Sequence, residues 1–231
     1  MPVGVHRGTH LLQPIEEEGD GSPSPFFFVL PQSAESSRAM SITLETDRLV
    51  LRPFEAADAA AVQDAAGRWE IARMTTRIPH PYPEGAAAEW IAGHAALREK
   101  HNEHVFCLSP KVGEDAGEAI GAASLRALEA GNLELGYWLA TEHWDRGLAT
   151  EAARAMVVFG FEKLGAEAIN SGHFIDNPAS GRVLEKAGLR GNGMARQWSE
   201  ARQDFVDAQR YLLTRESWKK ARAQVLEQQV S

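Results

Sequence analysis

The chain has 231 residues, 44% of them hydrophobic, which is enough for one buried core and fits one domain with appendages. Its formal net charge of −8 argues against non-specific binding to nucleic acid or to anionic membranes, and favours small molecules or protein termini as partners. Cys107 is the only cysteine, so no internal disulfide forms and nothing requires an oxidising compartment. Since no apolar run approaches the roughly 20 residues of a membrane span, we expect a cytoplasmic protein without a membrane partner.

The first 40 residues differ in composition from the rest. They contain GDGSPSP, PQSAESS and an acidic EEE run, with no sustained periodicity. This composition predicts a flexible N-terminal extension over residues 1–40. We expect a compact domain over residues 41–216 and a C-terminal helical tail over residues 217–231.

Strand and helix patterns alternate at the start of this domain. The stretch SITLETDRLVLRPF predicts one strand, and EAADAAAVQDAAG predicts an alanine-rich helix that ends at Gly67. A proline-stiffened loop, RIPHPYPEG, then leads into the helix AAAEWIAGHAALREK, in which Trp90, Ile91 and Leu97 are the larger apolar anchors.

Three strand candidates follow: HVFCLSP, EAIGAASLRAL and NLELGYWLA. After them come a helix from Gly147 to about Gly165, the strand EAINSGHFI, the helix PASGRVLEKAG, and two strands around GLRGNGMARQW and DFVDAQRYLLT. The links between the consecutive strands are too short for parallel crossovers. The pattern therefore predicts an α/β or α+β domain with a mixed, mostly antiparallel sheet flanked by helices.

The strand NLELGYWLA and the helix after it form a candidate anion site. Leu133, Leu135, Tyr137 and Leu139 alternate with Glu134, Gly136 and Trp138, so the two sets face opposite sides. The first N–H groups of the helix lack internal partners and can hold an anion such as a pyrophosphate, and Arg146 adds a full charge. An ordinary strand-to-helix connection has the same pattern. Neither GxxxxGK[ST] nor GxGxxG occurs here, so the sequence does not support nucleotide hydrolysis or dinucleotide binding.

Four stretches together carry a family resemblance: LETDRLVLRPFEAAD, PYPEGAAAEWI, GYWLATEHWDRGLATEA and DNPASGRVLEKAGL. With these motifs the chain, over about residues 42–214, resembles the GNAT superfamily of acetyl-CoA-dependent N-acetyltransferases. Within it, the chain is most similar to the RimJ/RimL-like branch, the ribosomal-protein-alanine N-acetyltransferase type. The resemblance implies the GNAT fold and acetyl-CoA as co-substrate.

The resemblance also implies which residues bind acetyl-CoA. The family's pyrophosphate loop, Q/R-x-x-G-x-G/A, falls on residues 144–149. Trp144 departs from the Q/R position, which weakens a side-chain contact only, because the loop binds through backbone N–H groups. The main chain of residues 138–140 would pair with the pantetheine arm like an added strand, and Asn177 and Ser180 match the family's N-x-x-S. The implied cofactor-binding set is Trp138, Leu139, Ala140, Trp144, Asp145, Arg146, Gly147, Leu148, Ala149, Thr150, Asn177 and Ser180.

Acyl transfer to an amine needs a base, stabilisation of the oxyanion and a proton for the departing thiolate. Glu134 is the candidate base, because the family places a glutamate on this strand; the alternative is a solvated strand residue. Ser180 is the candidate donor to the thiolate. Asn177 and Pro178 also fit the start of an ordinary helix, so Ser180 has a structural explanation too.

The acceptor is expected to be an amine that is neutral at physiological pH. A free α-amine has a pKa near 8 and lysine near 10.4, so at pH 7 roughly one α-amine in ten is neutral against about one lysine in 2,500. This difference agrees with the branch's preference for protein N-termini, although relatives also acetylate small amines. Tyr82 and Trp90 lie where the family builds its acceptor wall; Trp90 also fits a core anchor.

Three alternatives complete the prediction. The spacing of His101, His104 and Cys107 suggests a metal site, but no fourth ligand is placed, so we expect no metal. A non-catalytic acyl-CoA-binding module, acting as a sensor or in assembly, is the second functional class. The sequence leaves open whether the chain forms a homodimer.

Overall fold

The computed structural model describes residues 42–230, so the predicted extension over residues 1–40 lies outside the described residues. The strands are β1 (Leu44–Glu45), β2 (Leu49–Arg52), β3 (Glu103–Pro110), β4 (Gly121–Ala127), β5 (Asn132–Leu139), β6 (Ala168–Phe174), β7 (Arg190–Ser199) and β8 (Asp204–Thr214). The helices are α1 (Ala59–Gly67), α2 (Trp69–Ala72), α3 (Ala86–His101), α4 (Leu148–Glu162), α5 (Pro178–Lys186) and α6 (Arg215–Val230).

The eight strands form one sheet in the order β1-β2-β3-β4-β5-β6-β8-β7. Within the described residues, β5 and β6 form the one parallel pair, and all other neighbours are antiparallel. The mixed, mostly antiparallel sheet is therefore confirmed. The parallel pair arises because α4 is the crossover that returns the chain to the same end of the sheet.

The main core lies between the sheet and α4. Met156 and Phe159 of α4 are fully buried against Leu125 and Ile169 of the sheet. Gly160 allows this close contact, because a Cβ there would lie 2.9 Å from the Cδ1 of Ile169. The helical spacing of apolar residues in α4 thus fixes the face that it buries.

The structure differs from the sequence prediction at both ends of the domain. The first predicted strand is in fact two strands, β1 and β2, joined by a polar turn in which the Thr46 hydroxyl bonds both main-chain groups of Leu49 at 2.9 and 3.1 Å. The short helix α2 was not predicted. Helix α6 begins at Arg215, ahead of the predicted boundary at residue 217, and Trp218 stacks on Phe161 at 4.9 Å.

Candidate functional site

The parallel strands β5 and β6 separate partway along their length. They pair only over Asn132–Glu134 and Ala168–Asn170, although β5 continues to Leu139 and β6 to Phe174. The Ser171 hydroxyl donates to the Leu135 carbonyl at 2.8 Å and forms the next link beyond the last pair. Past this link the strands leave a V-shaped opening in the middle of the sheet.

The main-chain groups of β5 at this opening come from its odd-numbered residues. At the two ends of β5, the Asn132 carbonyl accepts from Leu128 N at 2.8 Å and Ala140 N donates to the Ile120 carbonyl at 2.9 Å, both on the β4 side. Because main-chain groups alternate in direction along a strand, Tyr137 and Leu139 point theirs into the opening, where the Leu139 carbonyl accepts from Trp144 Nε1 at 2.8 Å. The sequence prediction of residues 138–140 is corrected here: the main-chain groups of Trp138 and Ala140 face β4.

The loop after β5 forms a backbone anion site. Asp145 and Gly147 adopt positive φ angles of 57° and 77°, which turns the chain sharply into α4. The first helical bond is from Glu151 N to the Gly147 carbonyl, so the N–H groups of residues 148–150 have no helical acceptor. Within the part of the chain that the structure describes, no side-chain hydrogen bond caps this helix end. The N–H groups and the helix dipole together favour a bound phosphate.

The loop is braced by residues that the sequence analysis did not select. Arg48, in the β1–β2 turn, donates from Nη1 to the Arg146 carbonyl at 2.8 Å and from Nε to Glu151 Oε2 at 2.7 Å. Glu151 Oε1 accepts from the Thr46 hydroxyl at 2.6 Å and from Arg48 N at 2.7 Å. The stretch TDR precedes the first strong strand pattern, but nothing in the sequence pairs it with Glu151, which is about 100 residues away.

Ser180 and Asn177 lie together at the start of α5, on the β6 side of the opening. The Asn177 side chain caps the helix by accepting from Ser180 N at 3.3 Å. The Ser180 hydroxyl lies 2.8 Å from the Tyr137 hydroxyl, which also donates to the Ser180 carbonyl at 3.1 Å. Burial raises the pKa of Tyr137, so its hydroxyl stays protonated. The sequence analysis placed Tyr137 on the same face of the strand as Leu133, Leu135 and Leu139, and it missed this contact across the opening.

Glu134 lies between two arginines. Its Oε1 accepts from Arg210 Nη2 at 3.2 Å, and its Oε2 accepts a short hydrogen bond from Arg126. Burial alone raises the pKa of Glu134, but the hydrogen bonds and charges of the two arginines outweigh burial and hold the pKa below its usual value. Glu134 is therefore ionised at neutral pH and is a weaker base than a free glutamate.

The predicted acceptor residues do not come together. Trp90 lines a cavity that Glu134 and Ser180 also line. Its ring packs edge-to-face on Phe54 and His94, with ring centroids 5.1 and 4.4 Å apart. Tyr82 does not line this cavity, because its loop turns toward α1, where Gln63 Nε2 donates to the Pro83 carbonyl at 2.9 Å. Tyr82 lies beside α1, since a Cβ placed on Gly67 would be 3.8 Å from the Tyr82 Cβ.

One cavity of about 790 Å³ joins these groups. The loop after β5 and the start of α5 line one part, and Glu134, Arg126 and Trp90 line another. All of the predicted cofactor-binding residues line it except Ala140 and Arg146. Arg146 is exposed, and its carbonyl, rather than its side chain, is held in place.

The residues considered as metal ligands have other environments. His104 Nε2 lies 3.0 Å from the Asn102 side-chain oxygen, and burial raises the pKa of Cys107 to about 12. Among residues 42–230, no three or more His, Cys, Asp or Glu side chains are grouped so as to hold a metal ion. None of the helices in the same range is long and apolar enough to cross a membrane.

The fold and the site agree with a known enzyme family. The family model "Acetyltransferase (GNAT) domain" matches residues 48–190, and the chain belongs to this family. It is an acetyltransferase with a GNAT fold, as the sequence motifs predicted.

Two curated relatives and one solved structure give the range of similarity. "Uncharacterized N-acetyltransferase YoaA" of Bacillus subtilis (strain 168) is 32% identical over 67% of this chain and 86% of its own. "Putative ribosomal N-acetyltransferase YdaF" of the same organism is 30% identical over 68% of this chain and 81% of its own. The solved structure of Mycobacterium smegmatis RimJ in complex with CoA-disulfide superimposes on this chain with a TM-score of 0.63 and 21% sequence identity. The match covers 73% of this chain and 82% of the RimJ chain. These relatives support the RimJ/RimL-like branch that the motifs indicated.

Proposed function

We propose that the protein transfers the acetyl group of acetyl-CoA directly to a primary amine, most simply the α-amine of a peptide or protein N-terminus. The observation that carries this proposal is the V-shaped opening between β5 and β6, flanked by the unpartnered N–H groups at the start of α4. The N–H groups bind the pyrophosphate, and the edge of β5 at Tyr137 and the Leu139 N–H pairs with the pantetheine arm, while the Leu139 carbonyl is held by Trp144 Nε1. Acetyl-CoA supplies the activated acyl group as a thioester.

Each proton in the reaction has a candidate partner in the cavity. The amine nitrogen forms a bond to the acetyl carbon, the carbon–sulfur bond breaks, and the amine proton leaves toward water and the Glu134 carboxylate. The Ser180 hydroxyl donates a proton to the departing thiolate while Tyr137 passes its own proton to Ser180 across their 2.8 Å hydrogen bond, and Tyr137 regains a proton from water, which balances the proton that the amine releases. No acyl-enzyme forms in this scheme.

The state of Glu134 favours an acceptor that arrives neutral. Because the two arginines lower the pKa of this carboxylate, it has little power to deprotonate an ammonium group. An α-amine with a pKa near 8 is neutral in about one molecule in ten at pH 7, whereas a lysine side chain is neutral in about one in 2,500. The name of one relative, "Putative ribosomal N-acetyltransferase YdaF", agrees with a protein as acceptor.

A thiol-release assay with acetyl-CoA tests the proposal. The acceptors are peptides with free and with blocked N-termini, lysine-containing blocked peptides, and small amines. We expect release with free N-termini, loss of most of the rate in Glu134→Gln and Ser180→Ala, and a wild-type rate in Glu129→Gln, which alters an exposed glutamate in the β4–β5 turn. Acetyl-CoA binding without release for any of these amines contradicts the proposal, and release confined to lysine side chains contradicts the choice of acceptor.

A further inference from the structure

Two arginines in the cavity share a single carboxylate. Arg126 and Arg210 each make one hydrogen bond, and both bonds end on Glu134. A guanidinium has five N–H donors, so each arginine keeps four for other partners. Arg126 is 42% exposed and Arg210 is 23% exposed, and both line the cavity. The cavity wall therefore offers charged N–H donors that residues 42–230 leave without an acceptor.

The charges around this fork do not balance. Across the sheet, Glu103 of β3 pairs in register with Arg126 of β4, and Arg126 with Glu134 of β5. Glu103 is neutralised by Arg77, whose Nη2 lies 2.9 Å from Glu103 Oε1. These five charged residues carry three positive and two negative charges, which leaves one positive charge in excess beside Glu134.

The excess charge is separate from the pyrophosphate site. Glu134 lies five residues before Leu139, which is about 16 Å along an extended strand, and the anion-binding N–H groups lie beyond Leu139. The arginines line the cavity together with Glu134, the carboxylate that receives the amine proton under the proposed function. A cationic or neutral acceptor leaves the excess charge in place, whereas an acceptor carboxylate balances it and completes bidentate bonds.

We propose that the acceptor amine belongs to a molecule that carries a carboxylate a few bonds away, and that Arg126 and Arg210 bind this carboxylate. The inference rests on the proposed function and names its substrate class. Two sources share this chemistry: an acidic side chain within the first three residues of a peptide, and the carboxylate of a free amino acid. In both sources, replacing the carboxylate by its amide keeps the shape of the acceptor and removes the negative charge.

Matched acceptors test the inference. Thiol release is measured with Ser-Asp-Ala-Ala-amide against Ser-Asn-Ala-Ala-amide, with the acidic residue moved to the first and third positions, and with free amino acids against their amides. Because each charge-assisted bond lost weakens binding substantially, kcat/KM for at least one acidic acceptor is expected to exceed that of its amide by roughly tenfold or more. The peptide and amino-acid arms identify which source is used.

Variants link this preference to the arginines. Arg126→Gln is expected to remove most of the preference for the acidic member while the affinity for acetyl-CoA is unchanged. Arg190→Gln, an exposed arginine at the start of β7 outside the cavity lining, keeps the preference. Equal rates for the acidic and amide members of every pair, or an unchanged preference in Arg126→Gln, overturns the inference and leaves the proposed function standing.

A failure of the proposed function is a distinct outcome. If no acceptor is acetylated, the same pairs are titrated by calorimetry into the wild-type protein with CoA. Tighter binding of an acidic member supports the carboxylate site even then, and equal affinity within every pair overturns it.

Discussion

The brace between the β1–β2 turn and α4 provides a quantitative test of how the pyrophosphate loop is held. Glu151 accepts three hydrogen bonds, from the Thr46 hydroxyl at 2.6 Å, Arg48 N at 2.7 Å and Arg48 Nε at 2.7 Å. Its side chain is only 15% exposed. Burial alone raises the pKa of Glu151, but the bonds from Thr46 and Arg48 outweigh burial and lower the pKa, so the carboxylate is charged at neutral pH.

Glu151→Ala removes all three bonds and leaves Arg48 without a carboxylate partner. At about 1 kcal/mol for each bond the sum is about 3 kcal/mol, and because the Arg48 side chain is half exposed its own bond contributes less, so the free energy of unfolding is expected to fall by about 2–3 kcal/mol. For a domain of this size, that loss lowers Tm by about 4–12 °C. The freed Arg48 also holds the Arg146 carbonyl less well, so acetyl-CoA is expected to bind roughly tenfold more weakly, a loss of about 1.4 kcal/mol.

A second variant separates folding from loop positioning. Arg48→Met keeps the bonds from Thr46 and from the main chain of residue 48 to Glu151, but removes the guanidinium from the Arg146 carbonyl. We expect a smaller loss of stability, about 1 kcal/mol, with a similar loss of acetyl-CoA affinity. Thermal unfolding followed by circular dichroism gives the first quantity, and calorimetric titration well below Tm gives the second.

A matched control lies on the same helix. Glu162 pairs with Arg222 at the far end of α4, where both side chains are partly exposed. Glu162→Ala is expected to cost less than about 1 kcal/mol and to leave acetyl-CoA affinity unchanged. The reasoning is refuted if Glu151→Ala and Arg48→Met both bind acetyl-CoA as tightly as the wild type.

Three further predictions follow from the described contacts. Tyr137→Phe is expected to lower kcat in the thiol-release assay at least tenfold with little change in KM for acetyl-CoA, and to add little in a Ser180→Ala background, because the two hydroxyls act in series; additive losses contradict the relay. Burial lowers the pKa of His94 to about 4, so between pH 6.5 and pH 4 the unfolded chain binds a proton that the folded chain does not. The free energy of unfolding therefore decreases as the pH is lowered from 6.5 to 4. His94→Gln should remove about 2 kcal/mol of the difference in urea-unfolding free energy between pH 7.5 and pH 5, and an unchanged difference would argue against a neutral His94. Asp58→Asn disrupts a paired, buried carboxylate that Arg52 contacts at 2.8 and 2.9 Å, so we expect about 3 kcal/mol of destabilisation by thermal unfolding, whereas a loss below about 1 kcal/mol would contradict this account.

The hydrophobic periodicity of the sequence predicts most of the strands and helices of the fold. The alternation in β5 and the helical spacing in α4 are local properties, and each buries the face that its pattern predicts. Gly147 and Asn177 also fulfil local roles, since a positive φ angle and a helix cap depend on the residue and its near neighbours. These two residues mark the starts of the helices on either side of the opening.

The remaining features depend on contacts between distant parts of the chain. The β1–β2 turn was predicted as continuous strand because its partner, Glu151, lies on α4. Tyr82 fits the acceptor wall by its position in the sequence, but the loop that carries it bonds to α1 and turns it away from the cavity.

At the centre of the site, some properties of Glu134 follow from the local sequence and others from contacts between distant parts of the chain. The sequence identified a carboxylate on the correct strand, and its alternation with the leucines determined which face of the sheet it occupies. Only the tertiary structure placed Arg126 and Arg210 on its two oxygens, because Arg210 comes from β8, 76 residues further along the chain. The basicity of a carboxylate depends on the charges around it in space, and these charges are set by how the strands are arranged in the sheet.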